Sequence, residues 1–131
     1  DDRENEGDLV MAASLCTPEK MAFIIRNCCG IVCAPLTADD ARRLHLSPMV
    51  AMNDAPLGTA FTVSVDVVHG LTTGISAEQR TNTVRALANG NMGAGSGKMS
   101  HTGITSKKNF TNTTPPDGYG IALSVSCTRI I

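Results

Sequence analysis

Apolar residues recur at helical spacing over Met21, Ile24, Ile25 and Cys28, the stripe of an amphipathic helix. Thr17-Pro18-Glu19 opens that helix with a hydroxyl N-cap, a proline at the first helical position and an acid in the first turn. Gly30 is expected to stop it. A second helix is predicted from Ser76-x-x-Gln79, a capping box, through Ala88, with Asn89-Gly90 as its C-terminal signal. A third, shorter one is predicted from Thr37 through about Leu44. Strict alternation over Phe61-Thr62-Val63-Ser64-Val65-Asp66-Val67 predicts a half-buried strand with Phe61, Val63, Val65 and Val67 inward. Ile31-Val32-Cys33-Ala34 is a short apolar run before Pro35 and reads as a buried strand. After Gly90 the pattern weakens, and only Gly120 to Ile131 has strand character. Helices and strands interleave, so the class is mixed αβ.

The 131 residues amount to one domain, long enough to bury a core without staples. A formal net charge of −1 argues against nucleic-acid binding through a general basic field. One Tyr and no Trp leave no stacking platform for single strands. No run of 18 apolar residues is present, so no membrane-spanning helix is expected. The odd count of five cysteines, with no Cys-x-x-Cys pair, reads as reduced thiols in a cytoplasmic protein. Charge reverses near residue 90: seven basic and eleven acidic residues precede it, while four basic residues and Asp117 follow. The chain opens on a charged cluster without Met, and a piece of a larger parent is expected.

Candidate chemistry concentrates in three places. Asp1-Asp2-Arg3-Glu4-Asn5-Glu6-Gly7-Asp8 packs five carboxylates and one guanidinium into eight residues. Mg²⁺ suits such a cluster, since it takes one or two carboxylates plus water and substrate oxygens. Arg3 adds a fork for a phosphate or a sugar hydroxyl. A solvated acidic turn is the alternative; a calcium EF-hand is excluded because Ala13 stands where a bidentate Glu is required. Leu71-Thr72-Thr73-Gly74-Ile75-Ser76 joins a strand end to a helix start and could hold an anion on free N–H groups, or serve only as the cap. Cys33 alone reads as a small core residue. Cys28 and Cys29 read as a helix end, and His45 and His69 as structural or exposed. Gly93 to Ser100 misses the phosphate-binding loop pattern, with Met92 and Met99 at positions that need Gly and Ser or Thr. The two glycosylation patterns at Asn109 and Asn112 carry no function in this setting.

Three stretches together resemble one family: Asp1 to Leu9, Gly30-Ile31-Val32-Cys33, and Thr59-Ala60-Phe61-Thr62-Val63 through Gly70-Leu71-Thr72-Thr73-Gly74-Ile75-Ser76-Ala77. The chain resembles 3,4-dihydroxy-2-butanone 4-phosphate synthase, the riboflavin-pathway lyase that converts D-ribulose 5-phosphate to that product plus formate. The resemblance implies an α+β fold, a three-layer mixed twisted sheet flanked by helices, incomplete in this chain. It implies Mg²⁺, with Mn²⁺ as an alternative ion, and a homodimer whose active site is shared across the interface. It assigns Glu4 to the metal, and Arg3, Glu4, Asp8, Thr72 and Thr73 to the sugar phosphate. Asp8, Glu6 and Cys33 become the catalytic candidates, with Asp8 and Glu6 as partners for proton transfer. No nucleic-acid or membrane partner is implied.

The resemblance runs from residue 1 to about 94, which divides the chain into a synthase-like part, 1–94, and a divergent Gly/Ser/Thr-rich tail, 95–131. The strand that precedes the acidic motif in the family is missing. The family's later Arg-x-Gly-His-Thr-Glu segment, source of the second metal ligand, has only a faint echo in Lys98-Met99-Ser100-His101-Thr102-Gly103. The 131 residues alone are therefore expected to be inactive. The alternative reading is a non-catalytic truncated fragment or paralogue keeping part of the fold. Some family members carry a fused GTP cyclohydrolase II domain, on which these residues do not bear.

Overall fold

The computed structural model describes residues 6–56, 58–89, 99–101 and 122–128. The three helices begin where hydroxyl side chains offer a cap. Helix α1 spans Pro18–Asn27, and Thr17 Oγ1 accepts from the Lys20 N–H at 3.3 Å. Helix α2 spans Ala38–Arg43, with Thr37 Oγ1 accepting from the Asp40 N–H at 3.1 Å. Helix α3 spans Ala77–Leu87, with Ser76 Oγ accepting from the Gln79 N–H at 3.2 Å. Each contact satisfies a backbone donor that the first helical turn leaves without a partner. Helix α1 ends before Gly30: Cys28 caps it in an extended conformation and donates its N–H to the Ile24 carbonyl at 3.0 Å.

Among the described residues five strands form two small sheets, and every pairing is antiparallel. In the first sheet, β1 (Glu6–Ala12) and β2 (Val32–Cys33) flank β5 (Ala122–Thr128). In the second, β3 (Val65–Val67) pairs with β4 (Met99–His101). The acidic motif is therefore not wholly a loop. Its second half, from Glu6, is strand, held by the Glu6↔Thr128 to Ala12↔Ala122 register with β5. The backbone partner supplied by β5 makes this part of the motif extended rather than a solvated turn.

Helix α1 packs on α3, burying Met21 and Ile24 against Ala13, Cys16 and Val84. Leu44, Leu46 and Leu87 form a second cluster, with Val65 half-buried against it. Cys16, Cys28, Cys29 and Cys33 form no disulfide among the described residues. Among the described residues no helix is long and apolar enough to cross a membrane.

The alternating strand departs from its expected form. Only Val65–Val67 is strand; Thr62 instead bridges Pro48, and the Met49 N–H donates to the Phe61 carbonyl. The expected facing is also incomplete, because Asp66 is buried while Val65 and Val67 are half-buried. The chain folds back over residue 66, so both faces of this strand are covered. The Val67 N–H donates to Thr83 Oγ1 of α3 at 3.1 Å, and Gly74 lies directly on the Asp66 carboxylate. Val65→Asp would still place a carboxylate against Leu44, Leu46 and Leu87, so a loss of several kcal/mol is expected in urea denaturation. Ser64→Asp should cost clearly less; equal losses would contradict this packing.

Candidate functional site

The site candidates fall into two groups, each built by a different part of the fold. The first lies on the β1-β5-β2 sheet. Asp8 pairs with Ser126 and Cys33 with Ser124 across the same central strand. Positions 124 and 126 share a face, since side chains alternate along a strand. The register therefore puts Asp8 and Cys33 on one face, with one strand between them. Asp8 is exposed and Cys33 half-buried.

The two groups sense each other electrostatically. Burial, and secondarily the Asp8 charge, pushes the Cys33 thiol up to about 12. At pH 8 the thiol then outnumbers the thiolate by about 10⁴ to one. Burial thus favours the neutral thiol at Cys33 over a thiolate. Cys33 should resist iodoacetamide at pH 8 while exposed Cys29 is alkylated, as read by peptide mass mapping; equal labelling would refute the environment described. The raised value also has a stability consequence. Between about pH 8.5 and 12 the unfolded chain loses this proton while the folded one keeps it, so this contribution falls as pH rises through that window.

The second group is the turn before α3. Thr72 and Thr73 are exposed, whereas Gly74 is buried with φ +72°. The Gln79 side chain does not close the expected capping box on Ser76. Its Oε1 accepts from the Gly74 N–H at 2.6 Å, and its Nε2 donates to Thr72 Oγ1 at 2.6 Å and more weakly toward the Gly70 carbonyl at 3.4 Å. Thr73 Oγ1 accepts from the Ile75 N–H at 3.4 Å. These hydrogen bonds all run within Gly70–Gln79, so the turn is a self-supporting unit at the start of a helix.

The structure thus sets Asp8 and Cys33 on one face of the first sheet, with β5 between them, and Thr72 and Thr73 on a separate, stiffened turn. Arg3 and Glu4 lie outside the described residues, as does the side chain of Glu6. Only the backbone of His101 is described; it pairs with Val65. Among the described residues no three His, Cys, Asp or Glu side chains group as a metal-ligand set. Asp8 supplies a hard, exposed carboxylate oxygen that suits Mg²⁺, while a protonated Cys33 does not. Gln79 and Asp66 were not among the sequence candidates. The capping-box spacing did point to Gln79, but assigned it a different backbone partner.

Comparison with known proteins places the chain in a family. A family model described as 3,4-dihydroxy-2-butanone 4-phosphate synthase matches residues 1–109, running past residue 94. The synthase of Candida albicans is 54% identical over 91 residues, which are 70% of this chain and 45% of the relative. The chloroplastic bifunctional riboflavin biosynthesis protein RIBA 1 of Arabidopsis thaliana is 59% identical over 90 residues, 67% of this chain and 17% of the relative. A crystal structure of a synthase in complex with two magnesium ions superposes with a TM-score of 0.70 at 44% identity, covering 76% of this chain and 47% of that one. The chain spans less than half the length of these relatives. On the family match and these identities, the chain belongs to the 3,4-dihydroxy-2-butanone 4-phosphate synthase family.

Proposed function

We propose that the full-length protein carrying this chain converts D-ribulose 5-phosphate to 3,4-dihydroxy-2-butanone 4-phosphate and formate, in riboflavin biosynthesis, with Mg²⁺ as cofactor and Mn²⁺ as an alternative. The observation that carries this reading is the acidic motif running into β1, with Asp8 on the same sheet face as a neutral Cys33, in a chain of this family. Two magnesium ions in a related synthase structure support the choice of ion.

In this reading Glu4 and the motif around it hold the ion, which when bound supplies a Lewis acid for the oxyanion that develops as the substrate is deprotonated next to its carbonyl. Arg3 grips the sugar phosphate through its planar fork. Asp8 and Glu6 move protons at substrate carbon and oxygen atoms. Cys33, neutral, lines the site beside Asp8 without attacking the substrate. Thr72 and Thr73 donate hydroxyl protons to the sugar phosphate. The finer architecture belongs to the same proposal: a three-layer mixed sheet flanked by helices, a homodimer sharing its active sites, and a cytoplasmic setting. So does the division into residues 1–94 and a compositionally distinct tail, 95–131, although that tail supplies β5 to the first sheet.

Metal removal tests the reading. Treating the full-length protein with EDTA should stop formate release from ribulose 5-phosphate, and excess Mg²⁺ should restore it. Unchanged turnover after chelation would contradict the proposed cofactor.

A further inference from the structure

We infer that Gln79 is a positioning residue that holds the Thr72 hydroxyl oxygen as an acceptor and so leaves its proton for a ligand acceptor, such as the phosphoryl oxygens of a sugar phosphate. The argument starts from the direction of two hydrogen bonds. A backbone N–H can only donate, so the 2.6 Å contact from Gly74 N identifies the facing side-chain atom as Gln79 Oε1. The amide is thereby oriented, and its nitrogen must face Thr72. Nε2 can only donate, so Thr72 Oγ1 accepts at 2.6 Å. The Thr72 hydroxyl proton is left to point elsewhere, and among the described residues it has no acceptor.

Thr73 repeats the polarity. Its Oγ1 accepts weakly from the Ile75 N–H at 3.4 Å, which leaves its proton available too. Both side chains are exposed, one residue apart, on a turn backed by buried Gly74. A pair of hydroxyls whose oxygens already accept from protein donors keeps both protons available to a ligand. An oxyanion can accept from both at once. The Gln79 amide does this without adding charge beside the anion. A carboxylate at the same place would accept from Gly74 and also draw the Thr72 proton inward.

This inference rests on the proposed contact between Thr72 and the substrate, and a mutant cycle separates the two. In the full-length protein, Thr72→Val, Gln79→Glu and the double variant would be assayed for KM and kcat with ribulose 5-phosphate, alongside thermal melting. Thr72→Val should raise KM by about tenfold or more, the scale of one hydrogen bond to a charged group, with kcat changed by less than about threefold. Gln79→Glu should do the same, and the double variant should be no worse than either single one, because both changes remove the same donated proton. Simple charge repulsion by Glu would instead multiply the two effects and overturn the positioning role. A KM for Gln79→Glu within about twofold of the parent, with Thr72→Val impaired, would also overturn it while leaving the proposed function intact. An unchanged KM in Thr72→Val would refute the substrate contact itself, and the role of Gln79 with it. Should Gln79→Glu melt early, Gln79→Met, which keeps the length and lacks the donor, carries the same cycle with the same expected non-additivity.

Discussion

Glu4→Gln in the full-length protein is expected to abolish most formate release while leaving the melting temperature nearly unchanged. The substitution preserves volume and one carbonyl oxygen, so packing has little reason to respond. It removes the negative charge and one hard oxygen that a divalent ion requires. Mg²⁺ gives up its waters reluctantly and relies on one or two carboxylates, so losing one of so few anionic ligands is severe. Asp8, exposed on β1, remains in place, but one carboxylate alone should not hold the ion tightly enough to rescue the variant. Activity within about twofold of the parent would contradict the metal assignment.

Gly74→Ala is expected to disable the threonine turn and destabilise the fold together. At φ +72° an L-residue is strained, and a Cβ at this position would lie 2.5 Å from Asp66 Oδ2 and 2.8 Å from Asp66 Cγ. Asp66 is itself buried, so it has little room to withdraw. The backbone conformation alone costs roughly 1–3 kcal/mol, and the displaced carboxylate adds to that. The Gly74 N–H would also leave Gln79 Oε1, releasing Thr72. Urea denaturation should report the loss of stability, and KM for ribulose 5-phosphate should rise further than in Thr72→Val. A fully stable variant with normal KM would show that the close approach of Gly74 to Asp66 is unimportant.

Helix starts were legible because each is a local event. Thr17, Thr37 and Ser76 cap through side chains only three residues from their backbone donors, and sequence spacing encodes that directly. The Met21 and Ile24 stripe was legible for the same reason, since one helix face meets one core. Non-local events were less visible. That Glu6 and Asp8 belong to a strand depends on β5, more than a hundred residues downstream. Asp66 looked outward in an alternating pattern, but a turn closed over it. The motif around Glu4 stands out by residue type and family resemblance alone, since Glu4 lies outside the described residues, whereas placing Asp8 and Cys33 on one face required the register of two strands on a third. Gln79 was legible as a cap but not as the partner of Thr72, because a long amide can bypass the nearest donor for one further back.

The central claim is tested most directly by incubating the full-length protein with D-ribulose 5-phosphate and Mg²⁺ and measuring formate together with the four-carbon phosphate product. The account predicts the two products in equal amounts, dependent on Mg²⁺ and lost in Glu4→Gln. Stable, correctly folded protein that releases no formate under these conditions would contradict it.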